Sequence, residues 1–131
     1  MRILAALALT AAALASAPAS AAGCAMDRVV YTLAGTNNVT LHFEDDAGGY
    51  SMNGLQGVIT GGTGVRAQEM IFGWGNRGPA TASPGGTVLA FNADFTSAAF
   101  PRSRDAEPPF ALIFPQADDG WGDAWTFSHC R

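Results

Sequence analysis

The sequence predicts an all-β domain, a small antiparallel barrel or sandwich of about eight short strands with its termini joined by a disulfide. Three observations point there. Apolar and polar residues alternate with period two at 38–44 and 87–95, the spacing of a half-buried strand. Glycine and proline recur so often that no segment keeps an apolar stripe at helical spacing for three turns. One cysteine stands near each end of the chain, Cys24 and Cys130.

Taken in order, Val29-Val30-Tyr31-Thr32-Leu33 is β-branched and aromatic, which suits a strand. In the next strand Val39, Leu41 and Phe43 face one side, and Thr40, His42 and Glu44 the other. Asp45-Asp46-Ala47-Gly48-Gly49 is turn chemistry, and Tyr50-Ser51-Met52 is read as the start of a return strand. Gly57-Val58-Ile59-Thr60 is a short strand. Gly61-Gly62-Thr63-Gly64 turns the chain into an extended run at 65–74. Residues 75–86 hold two prolines and four glycines and are expected to be loop. In the run 87–95 the alternation aims Leu89, Phe91, Ala93 and Phe95 inward. Residues 97–109 form a polar loop, 110–114 a continuous apolar strand, and 118–123 a turn. The last strand, 124–130, has Trp125 and Phe127 on one face, with His129 continuing their parity beside Cys130. Pairing of the first and last strands, stapled by the cysteines, would protect two sheet edges.

Residues 1–22 have the three-part pattern of a secretory signal peptide. Arg2 supplies the charge, residues 3–14 are apolar, and Ala19-Ser20-Ala21-Ala22 offers the cleavage site. That run is too short to span a bilayer, so no transmembrane span is expected. Residues 23–131 then form a single secreted domain of 109 residues, placed in the periplasm or outside the cell. In that compartment Cys24 and Cys130 are expected to pair. The rival reading is a lipid anchor on Cys24, since Ala21-Ala22-Gly23-Cys24 resembles a lipobox. It is disfavoured, because the large aliphatic residue is missing and Cys130 would be left odd. The domain carries six arginines, no lysine and eleven acidic groups, a net charge of −5. Such a surface excludes a nucleic-acid role and suits a basic partner.

No constellation specifies a reaction. Gly62-Thr63-Gly64-Val65-Arg66-Ala67 fits a dinucleotide fingerprint in letters only, because a strand follows it where a helix is required. His42 and His129 are the only histidines, and no G-x-S-x-G is present. Asp118, Asp119 and Asp123 around Gly120-Trp121-Gly122 lack the spacing of a calcium loop. No catalytic residue, metal or cofactor is therefore expected, and the chain reads as a non-enzymatic binding protein. Trp74 and Trp121, beside glycines at strand–loop junctions, are candidates for stacking on sugar rings.

One stretch has a family likeness. Thr63-Gly64-Val65-Arg66, then Ile71-Phe72-Gly73-Trp74, then Arg77-Gly78-Pro79-Ala80, with Leu55 and Gly57 upstream, resembles the inhibitory stretch of bacterial periplasmic and lipoprotein c-type lysozyme inhibitors. The resemblance implies an eight-stranded barrel with a cysteine staple. It implies that Thr63 and Arg77 stand where the family's serine and lysine enter the lysozyme cleft, with Gly64 and Arg66 beside Thr63. Here Ala67 replaces the family's tyrosine, and the interval from Trp74 to Arg77 is longer by one. For Thr63 and Arg77 to lie side by side, the run 65–74 must fold back, near Ala67-Gln68-Glu69. The alternatives are a glycan- or small-ligand-binding envelope module and a structural envelope protein.

Overall fold

The computed structural model describes residues 21–62, 66–75, 78–116 and 124–131. The expected leader, apart from Ala21 and Ala22, lies outside them. All regular structure among these residues is β: β1 Val29–Leu33, β2 Thr40–Asp45, β3 Leu55–Thr60, β4 Arg66–Trp74, β5 Ala80–Ser83, β6 Gly86–Thr87, β7 Leu89–Phe91, β8 Ser97–Ala98, β9 Ala111–Ile113 and β10 Trp125–Cys130. They form one antiparallel sheet in the order β6-β5-β4-β3-β2-β1-β10-β9-β7-β8. The sheet curls into a half-barrel. β6 and β7 are separated in the chain by Val88 alone, yet β6 pairs with β5 and β7 with β9. The Val88 N–H donates to the Ala80 carbonyl at 2.9 Å. The run 86–91 therefore touches both flanks of the sheet and draws them together.

β1 is the keel. It pairs with β2 on one side and β10 on the other, and Val29, Val30, Tyr31 and Leu33 are all buried. Val29 sits opposite Cys130, and the Cys24–Cys130 disulfide crosses there with a Cα–Cα distance of 5.8 Å. The termini are further held by arginine. Arg28 Nε donates to the Arg131 carbonyl at 2.7 Å, and Arg131 Nη2 to the carbonyls of Phe43 at 3.0 Å and Asp27 at 3.2 Å. With Cys24 in a disulfide, its thiol is not free for a lipid, which removes the anchor reading. Such a bond fits an oxidising compartment.

Inside the curl the aromatic rings form a chain. Tyr31 meets Phe43 edge-on at 6.3 Å, Phe43 lies 5.7 Å from Phe72, and Phe72 lies 4.8 Å from Phe100. The Tyr31 hydroxyl donates to the Pro109 carbonyl at 2.6 Å, which satisfies a polar group that would be costly to bury alone. Burial pushes that phenol's pKa up. Gly57 makes room for the rings. A Cβ there would stand 2.9 Å from Met70 Cγ and 3.1 Å from Phe72 Cζ.

β4 changes partner along its length. Its first half pairs with β3, from Arg66 to Met70, and its second half with β5, from Ile71 to Trp74. The turn at 46–54 contacts the second half: Met52 N–H donates to Phe72 O at 2.9 Å, and Phe72 N–H donates to Ser51 Oγ at 2.7 Å. Residues 50–52 thus serve as an edge cover, and the return strand starts only at Leu55.

Several expectations are corrected. Ten strands stand where about eight were expected, because β5 lies within the run 75–86, β6 straddles its end and the loop 97–109 begins with β8. The run 87–95 has the opposite parity to that expected. Val88 and Ala90 are buried, Phe91 is only half-buried, and Leu89 is exposed, as are Ala93 and, at 70 %, Phe95. The large rings of Phe100 and Phe114 already belong to the core, so small inward residues suffice there. The strand itself ends at Phe91 in a tight hairpin. Phe95 N–H donates to Asn92 O, Asn92 N–H donates to Thr96 O, and Asp94 Oδ1 accepts from Thr96 N–H. Ile113 is half-buried while Leu112 and Phe114 are buried; a fully apolar run hides its own parity. His129 is exposed because the register shifts opposite Val30/Tyr31. Ser128 is the extra residue of that bulge, and it breaks the alternation that buries Trp125 and Phe127.

Two outcomes follow for stability. Replacing both Cys24 and Cys130 by serine should lower the unfolding free energy by about 2–5 kcal/mol in a denaturant titration. Phe95 has φ +63°, in the left-handed region, and its exposed ring buries little. Phe95→Gly should therefore raise stability by about 0.5–1 kcal/mol; a loss would mean that the ring makes contacts of its own.

Candidate ligand groove

The second half of β4 ends at Trp74, and this residue borders a concave part of the described surface. Trp74 is half-buried, and its ring centroid lies 5.9 Å from that of Phe100, which ties it to the aromatic core. The concave region is lined by β7 and β8, by Gly78, Pro79 and the start of β5, and by residues 99–102. The open groove has a volume of about 450 Å³, within the range of small-ligand sites. The lining is largely apolar. Val88, Leu89, Ala90 and Phe91 all line this space.

Arg102 is the one charged residue among the described lining. Its guanidinium carbon stands 5.2 Å from the centroid of the Trp74 ring. A cation–π contact at an exposed site contributes roughly 0.5–1 kcal/mol, so this arrangement is easily displaced. The other described arginines have acceptors. Arg104 bonds Asp27 and Asp45. Arg28 and Arg131 bond backbone carbonyls across the termini. Arg66 bonds Glu44 and Glu69. Among the described residues, Arg102 alone has its guanidinium aimed at a ring and not at an oxygen. The sequence reading placed Arg102 in an undifferentiated polar loop. The available signal was Phe100-Pro101, an aromatic and a rigid residue within that polar stretch.

Of the residues singled out in sequence, Thr63, Gly64, Arg77 and Trp121 lie outside the described residues. So do Asp118, Asp119 and Asp123. Cys24 and Cys130 are joined as expected. Arg66 opens β4 and is held in an ion-pair cluster. It reaches Glu69 at 2.6 Å and crosses β3 to Glu44 on β2 at 3.0 Å, while His42 Nε2 lies 2.8 Å from Glu44. β4 runs as one nine-residue strand from Arg66 to Trp74, with no reversal at Ala67-Gln68-Glu69. An extended strand of that length covers about 30 Å, so the chain enters β4 from Thr63 and leaves it toward Arg77 at well-separated points. The groove lies at the Trp74 end.

The cluster has a pH signature. The hydrogen bond with His42, and then Arg66, hold the Glu44 carboxyl below its ordinary pKa. A carboxyl lowered on folding contributes stability above its unfolded pKa, and that contribution is lost as pH falls through its folded pKa. Glu44→Gln should therefore be less stable than the parent at pH 7, with the gap closing by pH 3. A gap that stays constant across chemical denaturation at the two pH values would show that the charge is immaterial.

Comparison of the chain with protein-family models, with curated proteins and with solved structures finds no match.

Proposed function

We propose that the protein is an exported, non-enzymatic binding protein whose ligand occupies the groove walled by Trp74. The observation that carries this reading is the placement of Trp74. It is rooted in the core through Phe100, it borders a cavity of ligand size, and it lies under a guanidinium free of carboxylates among the described residues. An aromatic wall with one placed polar group is how small-molecule sites combine burial with orientation. Export rests on the signal-peptide pattern of residues 1–22 and agrees with the disulfide.

A second reading, inhibition of a c-type lysozyme, is favoured by the resemblance around Thr63, Arg66 and Arg77 and by the net charge of −5. That charge would steer the domain toward a basic enzyme. The unbroken β4 makes simultaneous contact by the Thr63 and Arg77 loops harder, which is why the groove reading stands first.

One pair of assays separates the two. If the groove is a ligand site, the mature protein should bind a small flat aromatic probe such as 2-naphthamide, and Trp74→Ala should weaken that binding about 30-fold, the loss of an aromatic anchor. If the protein is a lysozyme inhibitor, it should slow lysis at micromolar concentration, and Arg77→Ala should relieve that inhibition. Lysis inhibition that is untouched by Trp74→Ala and lost with Arg77→Ala would replace the groove reading with the inhibitor reading.

A further inference from the structure

We infer that the groove takes a small carboxylate with a flat apolar or aromatic body, bound with its ring among Trp74, Val88, Leu89 and Phe91 and its carboxylate on Arg102. The inference rests on the groove being a ligand site and adds the chemical class of its ligand.

Charge is the first observation. The domain is acidic, with eleven acidic groups against six arginines, yet no aspartate or glutamate appears among the described lining residues. Its single charged group there is cationic. In a protein of net charge −5, an anion must find a local cation against the overall field. Arg102 is the described arginine not bonded to an oxygen acceptor. Each of the other described arginines is occupied by a carboxylate or a backbone carbonyl. A guanidinium offers a planar fork matched to a carboxylate, and its weak contact with the indole leaves it free to turn toward one.

The apolar walls are the second observation. Ser97 is the one hydroxyl-bearing side chain among the described lining. A neutral pyranose would bury several hydroxyl groups there with only Ser97 and Arg102 as side-chain partners among the described lining, and each group left unpaired costs free energy. A flat hydrocarbon ring meets no such penalty. The volume of about 450 Å³ suits a body of one or two fused rings. Trp74 cannot stack a sugar on the face beneath Arg102 unless Arg102 first moves away. A carboxylate ligand supplies the reason for that movement.

The test uses three probes with the oxidised mature protein, followed by ligand-observed NMR and calorimetry: 2-naphthoate, its uncharged analogue 2-naphthamide, and the neutral disaccharide diacetylchitobiose. The expected result is that naphthoate binds about tenfold or more tightly than naphthamide and that the disaccharide binds weakest, as one charge-assisted hydrogen-bonded pair implies. In Arg102→Gln, the preference for naphthoate should vanish while naphthamide binding persists, which also shows that the variant is folded. Added salt should weaken naphthoate alone. Equal binding of naphthoate and naphthamide, unchanged by Arg102→Gln, would overturn the carboxylate assignment and leave the groove reading intact. Tighter binding of the disaccharide would overturn it in favour of a glycan. If none of the three probes binds the parent protein, the groove itself is not a site and both proposals fall.

Discussion

The pairing of the first strand with the last is the constraint on which the rest of the molecule depends. β1 and β10 come from opposite ends of the domain, and Cys24 and Cys130 are separated by 106 positions. Bringing them together has a large loop-closure entropy, which the disulfide removes from the unfolded chain. In return, β1 is flanked on both sides, and Tyr31 and Trp125 become fully buried. A sheet left open there would expose two long apolar edges. Arg28 and Arg131 add hydrogen bonds across the same joint, so the closure has both a covalent and a polar component.

The consequences of closure travel through aromatic rings. Tyr31 on β1 touches Phe43 on β2, which touches Phe72 on β4. Phe72 touches Phe100, and Phe100 touches Trp74 at the groove. Because packed interiors tolerate little displacement, the position of Trp74 is set by strands far from it in the chain. The hairpin β7–β8, which also lines the groove, is held through the pairing of β7 with β9 and the burial of Val88 and Ala90. Its strands are short, and its exposed tip holds Phe95 at a positive φ.

How much was legible in the sequence varied with residue type. The strands β1, β2 and β10 and the cysteine pairing were readable because β-branched and aromatic residues alternated there and each end offered one cysteine. The inward side of β7 was misread because Leu89, Phe91 and Phe95 are larger than Val88 and Ala90. Size is a poor guide where neighbouring rings already fill the core. β5 and β6 were hidden by Pro79, Pro84 and four glycines, since turn residues mask two short strands between them. The exposure of His129 depended on a bulge at Ser128, which no local pattern announces. The candidate site was half legible. Trp74 stood out beside its glycines, whereas Arg102 became meaningful only when the fold set it over that indole. Arg66, prominent in the motif, proved to be committed to Glu44 and Glu69.

Closure of β1 on β10 as the organiser of the groove is tested most directly by native-state hydrogen exchange on the oxidised protein and on the reduced protein. If closure holds the aromatic chain in place, reduction should lower protection together in β1, in β10 and at the Phe72 and Trp74 amides of β4. Loss of protection confined to β1 and β10, with β4 unchanged, would contradict the account.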